Sequence, residues 1–127
     1  MEDHGDKERL RHLEEHVLGM MEYLQELLLD LPIPVVIPEV VDDNDKPVRE
    51  AVLALDRARV LIEDEPIPER HKRAYESLIL EWFTAYEMLV LRQMAGPAPW
   101  RLDAAQFAIA RFTIIAAMIE DGDIAES

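Results

Sequence analysis

A chain of 127 residues, half of them apolar and 31% charged, reads as one domain able to bury a core of its own. It has no cysteine, which excludes a disulfide scaffold and a cysteine-rich zinc site. Its formal net charge of -14 argues against a broad electrostatic surface for nucleic acid, whose phosphates it would repel, and favours basic partners or plain solubility.

The opening run MEDHGDKERLRHLEEH is charged throughout and has no apolar stretch, so it does not read as a signal peptide. Residues 1–5 are expected to fray. The first helix is predicted from Asp6 to Asp30. Leu10, Leu13, Val17, Met20, Met21, Leu24, Leu27, Leu28 and Leu31 fall in one arc, the width of a core-facing stripe. Arg11, Glu15, Glu22 and Glu26 lie opposite, so the three glutamates are candidate partner contacts.

His12-Leu-Glu-Glu-His16 matches the H-x-x-E-H pattern of inverted zinc peptidases, with both histidines one turn apart on the flank of this helix. A third ligand would have to come from Glu81 or Glu87. The chain is small for such an enzyme, so the favoured reading is no metal, with His12 and His16 as surface histidines and weak candidate ligands. Arg11 and His16 also have the R-x4-H spacing of a helical ribonuclease family. That family carries it in the C-terminal half of its bundle, whereas here it opens an acidic helix, so it is not adopted.

Pro32, Pro34 and Pro38 end the first helix and push their neighbours toward extended backbone. Val35–Val41 is β-branched and apolar. It is expected to be ordered and to lie over the bundle, with Val35, Val36 and Ile37 as the alternative, a partner-binding arm. Asp42-Asp43-Asn44-Asp45 lacks the glycine and the spacing of a calcium loop and reads as turn and helix cap. The second helix is predicted from Lys46 to Asp64, with Val48, Ala51, Val52, Leu55, Ala58 and Ile62 inward. Glu63-Asp-Glu65 ends it, and Arg70-His-Lys-Arg73 opens the next helix across Pro66-Ile-Pro68. The two runs are expected to neutralise each other.

The third helix is predicted from Pro68 to Met94, with Pro68 as its first residue, Gly96 as its C-terminal cap and Pro97 and Pro99 as breakers after it. Tyr75, Leu78, Ile79, Trp82, Tyr86, Leu89 and Val90 form its stripe, and further apolar residues widen the arc, the pattern of a surrounded helix. The fourth is predicted from Asp103 to Glu120, with Asp103 and Gln106 spaced as a capping box. Its apolar run from Ala104 to Ile119 is interrupted by Arg111 and reads as too short to span a membrane.

Arg111 is expected to be buried, and a buried guanidinium needs an acceptor. The short connection between the last two helices sets Arg111 opposite Glu87, with Glu81 as second choice and Glu76 further along. The four residues are also the candidate site should the chain hold an anionic ligand. Two helices apolar over most of their surface call for a homo-oligomer, with Phe107, Phe112 and Ile115 of the fourth helix as anchors.

The fold class expected is all-α: a single domain over residues 1–127, an antiparallel four-helix bundle with a long, Pro-rich, extended first connection over 32–45. The functional expectation is a small acidic interaction protein. It would bind and inhibit a basic or nucleic-acid-handling protein, in the manner of immunity proteins, antitoxins or DNA-mimicking inhibitors. The alternative is a helical-bundle enzyme or ligand-binding domain using Arg111 and the carboxylates of the third helix. A non-enzyme is favoured, cytoplasmic, with no cofactor, no membrane and no direct contact with nucleic acid.

Overall fold

The computed structural model describes residues 3–38, 45–96 and 98–122. Four α-helices hold most of them: α1 (Asp3–Leu29), α2 (Asp45–Ile62), α3 (Glu69–Ala95) and α4 (Pro99–Glu120). Among the described residues there is no strand, so the chain is all-α. α3 packs against each of the other helices, most extensively α4. α1 also touches α4, and among the described residues α2 packs against α3.

The apolar stripes read from the sequence face inward. Leu24 and Leu28 of α1, Leu55 and Ile62 of α2, and Leu78 and Ile79 of α3 have no exposed surface. Alanines at the crossings, Ala51, Ala58, Ala85, Ala105 and Ala108, are equally closed off, so neighbouring helices approach closely there. Trp82 sits at the centre. Its ring stacks on Tyr86 at 4.9 Å and meets Phe83 edge-on at 5.7 Å. Its Nε1–H donates to the Val17 carbonyl of α1 at 3.0 Å.

α1 begins at Asp3, so residues 3–5 belong to the helix rather than to a frayed end. α4 begins at Pro99, a turn before the predicted start. A proline is well tolerated in a first helical turn, where its missing N–H would have no partner anyway. Pro99 therefore starts the helix it was expected to precede as a breaker. At 22 residues, α4 is long and apolar enough, by length and composition, to cross a membrane, with only 28% of its most apolar window buried inside the chain. Pro68 is the N-cap of α3, extended at φ -62° and ψ 150°, rather than its first residue. Gly96 closes α3 at φ 94°, a conformation open to glycine, and its N–H returns to the Arg92 carbonyl.

The contacts also give relative directions. Arg9, near the start of α1, reaches Asp103 and Gln106, near the start of α4. Tyr23, later in α1, meets Phe112 edge-on at 5.9 Å and donates to Glu120 at the end of α4. The two helices thus advance the same way, which a simple up-and-down order of four antiparallel helices does not give. Ile33, just past α1, donates its N–H to Glu65, just past α2, at 3.0 Å, so α1 and α2 end together.

Beyond α1 the chain alternates. Val35 and Ile37 are buried at 8% and 6%, whereas Val36 is 73% exposed. The Val35 N–H donates to Leu28 O, and the Pro38 carbonyl accepts from Gln25. Val40, Val41 and the cluster Asp42–Asn44 lie outside the described residues.

Candidate functional site

Glu15, Glu22 and Glu26 are all exposed on the outer side of α1. A helix rises about 1.5 Å per residue, so they form a row with steps of about 10 and 6 Å along the axis. Of the other partner-binding candidates, Val35 and Ile37 are core residues of this chain, and Val36 is the exposed one.

Arg111 lies on the surface, contrary to the expectation of a buried guanidinium. Its side chain is 52% exposed, and its Nε donates to Glu81 Oε2 at 2.8 Å. Glu81 is the better shielded partner at 18%. The hydrogen bond to Glu81 raises the Arg111 pKa further, against the opposing pull of burial. Glu87, the acceptor expected first, is exposed to solvent. The reason is rotational: α4 is apolar nearly all round, and its outer side, Arg111 included, is left uncovered.

Glu76 is not gathered with Arg111. It faces Glu63 at the corner between α2 and α3, and its pKa is raised, first by a hydrogen bond with Glu63, then by burial and the Glu63 charge. The nearby Arg59 charge works the other way. The expected mutual neutralisation of the two charged runs is therefore selective. Lys72 Nζ donates to the Glu63 main-chain carbonyl at 2.7 Å, a cation at the end of α2, and lies 3.5 Å from Glu69. Glu65 turns inward instead and is 4% exposed, with Ile33 N–H donating to its Oε1.

His12 and His16 are exposed on the rim of a groove of about 540 Å³ between α1 and α4, with Leu13, Gln106 and Ile109 among its walls. Arg9 closes one end, its Nη2 donating to Asp103 Oδ1 and Gln106 Oε1, each at 2.7 Å. The pair read as a capping box is thus a clamp on an arginine 94 residues away. Glu81, proposed as a third metal ligand, is taken by Arg111. Among the described residues no group of three or more histidines and carboxylates is placed to hold a metal ion.

Of the three anchors expected for self-association, Phe107 is 65% exposed, Ile115 is half-buried and Phe112 is 3% exposed against Tyr23. Three further apolar side chains of α4, not among those anchors, are exposed: Trp100 at 56%, Ile114 at 60% and Met118 at 39%. The signal for them was the seven-residue spacing from Trp100 to Phe107 to Ile114.

No protein-family model matches the chain, and no curated protein or solved structure matches it.

Proposed function

We propose that the chain is a small acidic interaction protein that binds, and by binding inhibits, a basic or nucleic-acid-handling protein partner. The observation that carries this is the segregation of charge. Residues 1–68 hold eighteen acidic and seven basic residues, whereas α3 and α4 together hold six of each. Within that half α2 carries three acids against four bases, so the acidity belongs to α1, with seven acids against three bases, and to the segments outside the helices. A solubility requirement would be met by charge spread over the whole surface. Concentrated charge raises the encounter rate with an oppositely charged surface and sets orientation on contact. The row Glu15, Glu22 and Glu26 stands for a run of phosphates on such a partner.

The same reading includes a helical bundle in which the first connection is extended and crosses its length. α1 and α2 end together at the Ile33–Glu65 contact. The start of α2 lies roughly 27 Å back at 1.5 Å per residue. Residues 34–44, fully extended, reach about 36 Å. Prolines at 34 and 38 favour extended backbone at their own positions, which suits a crossing strap.

The alternative, an anionic-ligand site at Arg111, receives less support, because Glu81 already satisfies that guanidinium at the surface. The test is a pull-down from the native host with the wild-type chain and with a Glu15→Gln/Glu22→Gln/Glu26→Gln variant, with captured proteins identified by mass spectrometry. The proposal expects basic proteins on the wild type and their loss from the variant. Capture of the same proteins by both, or a small molecule carried through purification in the core, counts against it.

A further inference from the structure

We propose that α4 is the seam of a homodimer, packed against α4 of a second copy about a two-fold axis near Ala110 and Arg111. Trp100, Phe107 and Ile114 recur every seven residues on the outer side of α4 and are 56%, 65% and 60% exposed. A seven-residue apolar repeat is the spacing with which one helix faces another. Ala110 and Ala117, both exposed, alternate with the large side chains and let a second backbone come near.

The occupant follows from charge and exposed apolar surface. A chain of net charge -14 repels its own copies unless they meet through a neutral face. α4 carries two acidic and two basic residues, and α3 four of each, so this is the neutral side of the molecule. Its use for self-association leaves the exposed acidic row Glu15, Glu22 and Glu26 of α1 free. With Met118, the face presents four large apolar side chains that are 39% to 65% exposed, the apolar centre around which a stable interface of roughly 800 Å² per partner is built. In an antiparallel α4 pair centred between positions 110 and 111, Phe107 of one copy packs on Ile114 of the other. The same centre brings two Arg111 side chains near each other. Glu81, at 2.8 Å from Arg111 in its own chain, neutralises each of them. A bilayer is the poorer occupant, since it would have to accept Arg111 halfway along α4.

The proposal is tested by light scattering on the eluted protein at tens of micromolar, with and without phosphatidylcholine vesicles. The wild type is expected at twice the 14.6 kDa chain mass. Phe107→Glu/Ile114→Glu, which alters two exposed positions, is expected at the single-chain mass with its far-UV circular dichroism unchanged. Leu53→Glu, an exposed apolar position on α2, keeps the dimer. Because the chain has no cysteine, Ala110→Cys supplies an independent readout: air oxidation should link two copies through that position, whereas Leu53→Cys should not. A monomeric wild type, a double variant that stays dimeric, or a wild type that floats with the vesicles overturns the proposal.

Discussion

Replacing Trp82 by Phe removes one hydrogen bond and part of one ring from the middle of the core. The indole Nε1–H bonds the Val17 carbonyl at 3.0 Å, and the side chain is 2% exposed. Val17 lies within α1, where its carbonyl keeps its place in the helical ladder, so no buried acceptor is orphaned. The lost bond then costs about 1 kcal/mol, the usual net value for a neutral pair. The space vacated by the smaller ring adds roughly 1 kcal/mol, and the lost contact with Tyr86 and α1 about as much again. The total, about 2–3 kcal/mol, contrasts with Trp100→Phe. That residue is 56% exposed and its replacement should fall within about 0.5 kcal/mol of zero. Urea unfolding followed by circular dichroism measures both, in the Phe107→Glu/Ile114→Glu background, where Trp100 is free of the proposed seam. The variants also leave one tryptophan each, so Trp82 alone should emit as a buried indole and Trp100 alone as a solvated one. Equal costs for the two variants, or matching emission maxima, would refute the placement of Trp82 between α1 and α3.

Glu65→Ala strands the Ile33 N–H and should cost about 1–3 kcal/mol in a urea melt, whereas Glu65→Gln keeps an acceptor and should cost less than about 1 kcal/mol. Arg111→Met breaks a half-exposed pair and should cost about 1 kcal/mol or less, below the roughly 3 kcal/mol of a stranded buried charge; a loss that large would place the pair in the core. Glu76 has a raised pKa through Glu63, so the folded chain holds its proton to higher pH than the unfolded chain does. Stability from that site is fully present below the ordinary carboxylate range and declines as pH rises through the raised value. Glu76→Gln should therefore raise the unfolding free energy at neutral pH, by less than about 1 kcal/mol, and converge with the wild type near pH 4; a stability difference that does not change with pH contradicts the pairing.

Periodicity made the helices legible, because each core stripe recurs at helical spacing and tertiary packing did not override it. Helix starts were less legible. Pro99 was read as a breaker, although a proline in a first turn is also a starter, and one sequence cannot separate the two. Asp103 and Gln106 show the same ambiguity. Three residues apart, they fit both a cap and a same-face pair, and the deciding partner, Arg9, is remote in sequence. The Arg111 pairing was narrowed to Glu81 or Glu87 by register, but the choice between them depends on how α4 is rotated. That rotation also leaves Arg111 exposed beside Phe107 and Ile114. Glu65 was read as one surface acid among three, and nothing local marks it as the acceptor for a main-chain N–H 32 residues earlier. The acidic row on α1 was visible from the start, since position on a helix wheel needs only the period.

The proposed role rests on that row, and its salt dependence is the most direct measurement. With the basic protein recovered by the pull-down as probe, affinity is titrated calorimetrically at rising ionic strength for the wild type and the Glu15→Gln/Glu22→Gln/Glu26→Gln variant. The account predicts affinity that falls steeply with salt for the wild type, and a weaker, flatter dependence for the variant, with both chains equally folded. Identical affinities and identical slopes would contradict it.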